Sequence, residues 1–163
     1  MREIVINTGP VIALVAATGS LNWLSAMYRR VWVPHEVMAE ISAGGPSNPE
    51  VTALYAALNF VNLLNPAVAL PLPLLHELDL GEASVIHTAI QNGISTVAID
   101  EKTGRRIARL HGLKVTGSLG ILIKAKEQGL IDNLSDCITR MRSHGIWIST
   151  VLIQQTLTAA GES

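Results

Sequence analysis

The chain has 163 residues, of which 48% are hydrophobic and only 15% charged, and its formal net charge is −1. That length suits one domain, residues 1–163, with a sizeable core. The charge balance excludes a strongly basic whole-molecule field, so any attraction to phosphate must be local. Soluble domains carry about 25% charged residues, and the shortfall here leaves apolar surface for a partner, most simply a second copy in a homodimer. Cys137 is the single cysteine, which excludes an internal disulfide and suits a reducing, cytoplasmic setting. His35, His76, His87, His111 and His144 form no HExxH, and CxxC is absent, so a zinc site is not expected.

Taken in order, Glu3-Ile4-Val5-Ile6 is a β-branched run that predicts a buried strand. Asn7-Thr8-Gly9-Pro10 turns the chain, with Pro10 suited to a first helical turn. The apolar run 11–17 is too short to span a bilayer, and the polar residues and Gly9-Pro10 before it do not fit a signal peptide. It reads as a helix ended by Thr18-Gly19, and no membrane partner is expected. Leu21, Leu24 and Met27 mark a second short helix. A strand at 31–33 and a helix at 34–41 follow. Residues 43–49 are a breaker-rich surface loop, 51–58 a helix and 60–64 an extended piece. Residues 65–73, with three prolines, predict an irregular connection.

Residues 78–100 organise the rest. Leu80-Gly81 sets Glu82 at a helix start, and Val85, Ile86, Ala89 and Ile90 keep helical spacing. Asn92-Gly93 stops the helix, and a strand at 96–99 delivers Asp100 to its end. Beyond it come a helix at 102–111, a strand at 113–115, and a helix at 119–128 with Ser118 as its N-cap and Gly129 as its stop. Helices at 134–142 and 150–159 flank an extended Trp147-Ile148. Alternating short strands and helices predict an α/β fold with a parallel sheet covered by helices. Ligands of such sheets sit at the carboxyl ends of the strands, where Asn7-Thr8, Asp100 and Gly117-Ser118 would lie.

Glu36 and Glu40 share one face of the helix at 34–41, and Val37 and Ile41 another. Glu40, Glu82 and Asp100 are therefore the leading acids, with Glu36, Glu77, Asp79 and Glu101 as further candidates. Hard oxygens from several acids are what Mg²⁺ or Mn²⁺ requires, and such an ion activates water and clamps a phosphodiester.

The ordered set strand-Asn-Thr-Gly-Pro, Val-Pro-x-Glu-Val-x-x-Glu-Ile, Leu-Gly-Glu-Ala and Ile-Asp-Glu-Lys resembles a PIN domain, specifically the small prokaryotic branch related to VapC-type toxins. The likeness runs over nearly the whole chain, including Gly117-Ser118-Leu119-Gly120, and its specificity lies in the order of the fragments. It implies a three-layer fold and a metal-dependent endoribonuclease. Glu40, Glu82 and Asp100 match the family's acids, with Asn7 as a further metal-site position and Thr8 and Ser118 as accompanying hydroxyls. It further implies RNA as partner and, for a toxin, a cognate antitoxin. The family's first acid, an Asp, is Asn7 here, which keeps one carbonyl oxygen but loses the charge.

Each residue also has a purely structural role open to it. Glu82 and Asp100 suit helix starts, where an acid stabilises the macrodipole by about 0.3–1 kcal/mol. Glu36 and Glu40 suit a solvated helix face. Asn7, Thr8 and Ser118 suit turns and caps. Lys102, Arg105, Arg106, Arg109 and Lys114 form the densest basic patch, either a solvated helix or a phosphate-binding group beside Asp100. Trp23, Trp32 and Trp147 are scattered and read as core or interface packing. A binding module that has lost its chemistry is the second functional reading. A small-molecule binder ranks last, since GxGxxG and GxxxxGK[ST] are absent.

Overall fold

The computed structural model describes residues 1–66 and 69–162. Five parallel strands, β1 (Arg2–Ile6), β2 (Tyr28–Val33), β3 (Val61–Leu63), β4 (Thr96–Ala98) and β5 (Lys114–Thr116), form one sheet in the order β3-β2-β1-β4-β5. Register is set by the β-branched residues, with Ile4 opposite Val31, Val5 opposite both Trp32 and Val97, and Val31 opposite Val61. Such continuous apolar strands belong to a sheet covered on both faces.

The chain steps outward from β1 to β2 and β3, then returns across β1 to lay down β4 and β5. Right-handed crossovers taken in opposite directions place their helices on opposite faces. Accordingly α1 (Thr8–Thr18) packs against α7 (Ser118–Glu127) and α8 (Leu134–Ser143), whereas α5 (Leu80–Asn92) packs on β1 and β4 and touches α2 (His35–Ser42) and α6 (Lys102–Leu110). The remaining helices are α3 (Pro49–Ala56), α4 (Leu72–Glu77) and α9 (Thr150–Ala159).

Helix α1 is the most enclosed. Val11, Leu14 and Ala17 are fully buried, and Ala13, Val15 and Ala16 nearly so, which explains an apolar run with no polar face. Gly19, at φ +76°, ends it by donating its N–H to Val15 O at 2.7 Å, the left-handed stop that glycine adopts without strain. Val37 and Ile41 turn inward on α2 as their spacing requires, and α2 meets α5.

The expected elements recur with small shifts, and three points differ. The segment around Leu24 is a 3-10 turn, Asn22–Ala26, in place of an α-helix. The connection at 65–73 gives way to α4 at Leu72, where Pro71 and Pro73 occupy the N-cap and second helical position; proline is tolerated in that first turn because the amide it lacks has no intrahelical partner there. Ala67 and Val68 of that connection lie outside the described residues. Ser118 is the first residue of α7, and Gly117 holds the N-cap position.

Helix α5 carries Glu82, and its hold on the sheet depends on Ile86, which is fully buried. Ile86→Ala should cost roughly 2–5 kcal/mol, read from urea denaturation. Leu110→Ala, at a side chain 72% exposed, should stay within about 0.5 kcal/mol of wild type.

Candidate functional site

The sheet reverses its strand order between β1 and β4, and that crevice at the carboxyl edge is where doubly wound folds bind ligands. Asn7 follows β1 and Asp100 follows β4 after one intervening residue. The Asn7 N–H donates to Ala98 O at 3.0 Å, which ties the two strand ends together. Asn7 is buried and occupies the N-cap position of α1, yet its side chain makes no capping hydrogen bond. The turn-closing role open to it in the sequence is therefore not the one it takes. Thr8 begins α1, and its hydroxyl is buried with no hydrogen-bond partner.

Gly81 marks the meeting point of three polar side chains. A Cβ at this position would stand 3.1 Å from Glu40 Oε2, 3.2 Å from Asn7 Oδ1 and 3.5 Å from Asp79 Oδ1. Glycine leaves this space to the oxygens. Asn7 and Glu40 are thus brought together, and Asp79 joins them.

Asp79 is the N-cap of α5, accepting the Glu82 N–H at 2.8 Å. Glu82 is 7% exposed. Burial first, then hydrogen bonding to the Asp79 side chain and the charges of Asp79 and Glu101, push its carboxyl up to about 7. Donation from the Asp79 backbone pulls the other way. Asp79-x-x-Glu82 is thus a capping box, and that spacing was the available sequence signal for Asp79 as a neighbour of the site. Gly104 on α6 makes room for Glu82, since a Cβ there would collide with Glu82 Oε2.

Asp100 accepts two hydrogen bonds from Ser118, from its N–H at 2.7 Å and its Oγ at 3.0 Å. The carboxylate therefore caps α7, across the sheet edge, and not the helix that follows it. A Cβ on Gly117 would lie 2.8 Å from both Asp100 Oδ1 and Arg105 Nη1, so a glycine is required for these two groups to approach. Arg105 is half-buried and donates to Ile99 O at 2.9 Å. Burial and the Arg109 charge lower its pKa, while Asp100 raises it. Arg106 goes elsewhere, pairing at 2.7 Å with Glu77 on α4 at exposed positions. Lys102, Arg109 and Lys114 are exposed.

The oxygens suit a hard divalent cation in chemical type, and the space over Gly81 shows a carbonyl and a carboxylate oxygen already turned to one point. Glu82 and Asp100 have their carboxylates engaged by Asp79 and Ser118. Among the described residues no group of three or more Asp, Glu, His or Cys side chains is drawn close enough to hold an ion.

Fold and site edge together define a doubly wound α/β protein with an acid-lined carboxyl edge. A family model described as PIN domain matches residues 3–162. The chain belongs to the PIN domain family. Among solved structures it is similar in fold to a domain of a functionally unknown protein from Methanocaldococcus jannaschii, at 11% identity and a TM-score of 0.50, covering 72% of this chain and 91% of that one. Comparison with curated proteins gives no match. The described residues include no helix long and apolar enough to cross a membrane.

Glu82 gives a pH prediction. Its carboxyl ionises at about 4.5 when unfolded and about 7 when folded, so the native state holds the extra proton between these values. Stability falls as pH rises through that window and levels off above it. Unfolding free energies of wild type relative to Glu82→Gln should therefore decline from pH 4.5 to pH 7. A flat difference would show that Glu82 is not perturbed.

Proposed function

We propose that this chain is a divalent-metal-dependent endoribonuclease of the PIN type, with metal affinity reduced by the amide at position 7. The observation that carries this reading is the approach of Asn7 Oδ1 and Glu40 Oε2 to one space over Gly81, beside the Asp79–Glu82 cap. In this reading Glu40, Glu82, Asp100 and the Asn7 carbonyl hold Mg²⁺ or Mn²⁺. The bound ion supplies charge neutralisation at the phosphodiester and acidifies a water molecule.

The chain's own residues do the remainder. Ser118 fixes the direction of the Asp100 carboxylate through two hydrogen bonds. Glu82 releases its proton above about pH 7, so cation affinity rises through that pH. Arg105 attracts the RNA backbone beside Asp100, whereas the Thr8 hydroxyl is closed off from solvent and is not open to a phosphate oxygen. Arg106 contributes at long range, because an exposed pair such as that with Glu77 exchanges readily. The partners that go with this activity are RNA, a second copy of the chain, and, in a toxin, a cognate antitoxin. The buried, unpaired Cys137 suits a cytoplasmic setting.

A second reading has an observation of its own. Asn7 withholds a charge, and no close carboxylate cluster stands among the described residues; both favour a nucleic-acid or protein-binding module without catalysis.

Cleavage of a mixed structured and single-stranded RNA pool with Mn²⁺ separates the two. Wild type should cut, Asn7→Asp should cut faster and bind Mn²⁺ more tightly by calorimetry, and Asp100→Asn should lose roughly 100-fold or more, the scale of one electrostatic transition-state contact. Silence in wild type with cutting by Asn7→Asp establishes the binding module. Silence in all three removes the nuclease reading.

A further inference from the structure

Two carboxylates face one point without a countercharge. Glu40 Oε2 and Asp79 Oδ1 lie 3.1 Å and 3.5 Å from where a Cβ on Gly81 would stand. Glu40 comes from α2, and Asp79 from the segment joining α4 and α5. Neither enters an ion pair among the described residues. Like charges gathered in one place repel each other, and a cation between them removes that cost.

A third oxygen reaches the same point from the inner side. Asn7 Oδ1 lies 3.2 Å from it. Asn7 is only 7% exposed, and its side chain makes no hydrogen bond among the described residues. Buried polar side chains are ordinarily satisfied, and each exception asks for a reason. An ion at the point where this oxygen is aimed supplies one.

Asp79 already has one task, and its geometry leaves room for another. As N-cap of α5 it accepts the Glu82 N–H through Oδ1 at 2.8 Å. An ionised carboxylate offers about four lone-pair sites, so capping does not exhaust it. The cap also fixes the group in place, because it ties the carboxylate to the helix turn that contains Gly81.

We propose that Asp79 is a cation ligand and supplies at this space the negative charge that Asn7 lacks. The proposal rests on the metal-dependent reading above and adds a residue to its ligand set. Glu40, Asp79 and the Asn7 carbonyl make two charged oxygen donors and one neutral one, the hard set that Mg²⁺ or Mn²⁺ takes. The charge missing after β1 is thus replaced from the start of α5, on the facing wall of the same space.

The test is Mn²⁺ affinity by titration calorimetry above pH 8, on wild type, Asp79→Asn, Asn7→Asp and the double variant. Glu82, whose carboxyl is pushed up to about 7, is ionised there, so its proton does not enter the comparison. Asn caps a helix as well as Asp does, so the thermal unfolding midpoint of Asp79→Asn should stay near that of wild type. Its Mn²⁺ affinity should fall by at least the roughly 10–100-fold that losing an outer-shell partner costs. The double variant returns a carboxylate to the same space from position 7 and should recover most of that loss. A weakened cap would not be repaired from position 7, so recovery separates ligation from folding. Wild-type affinity in Asp79→Asn, or no recovery in the double variant, overturns the proposal and leaves the metal-dependent reading standing. Absence of Mn²⁺ binding in both wild type and Asn7→Asp overturns both.

Discussion

The Asp100 carboxylate holds together the edge on which the site depends. It leaves β4, one residue beyond a buried isoleucine, and accepts the Ser118 N–H and Oγ at the start of α7. Because β5 lies between β4 and α7 in the chain, this contact closes the β4-α6-β5-α7 unit at its carboxyl end. Gly117 lets backbone approach this carboxylate, since a Cβ there would lie 2.8 Å from its Oδ1. On the other side of the crevice, Asn7 is fixed by the hydrogen bond from its N–H to Ala98. The polar side chains are thus mounted on strand ends and helix starts, positions with little freedom to drift.

Charge is kept low at this edge. Carboxylates crowded in a buried place repel each other and raise each other's pKa. Here one position is an amide, Glu82 holds its proton up to about pH 7, and Asp100 is satisfied by Ser118. These devices stabilise the protein without a cation. The same devices lower the electrostatic attraction for a cation, so stability of the bare protein and metal affinity oppose one another at Asn7 and Glu82.

Much of this was legible in the residues. β-branched runs gave the strands, and alternation with helices gave a parallel sheet. Asn7, Glu40, Glu82, Asp100 and Ser118 stand out in the sequence by residue type and by position at strand ends and helix starts. What local pattern did not carry is which helix a side chain serves. Ser118 has the chemistry of an N-cap, yet Asp100 reaches it across the sheet edge and does that work, a contact 18 residues apart in sequence. Arg105 and Arg106 are adjacent in sequence but point to Asp100 and Glu77 respectively, since successive helical residues are about 100° apart. Helix α4 is not legible in the sequence because its prolines resemble loop punctuation, and they are compatible with a helix only in its first turn. Of the core or interface packing that suits Trp147, its exposure excludes the core, because Ile146 and Ile148 take the inward places.

The most direct test of the account is a Mn²⁺ anomalous difference map from crystals of the wild-type protein held above pH 8, where Glu82 is ionised. The expected result is a peak within ligand distance of the Asn7 carbonyl and the Glu40, Glu82 and Asp100 carboxylates. A peak at another place, or no peak at this edge at saturating Mn²⁺, would contradict it.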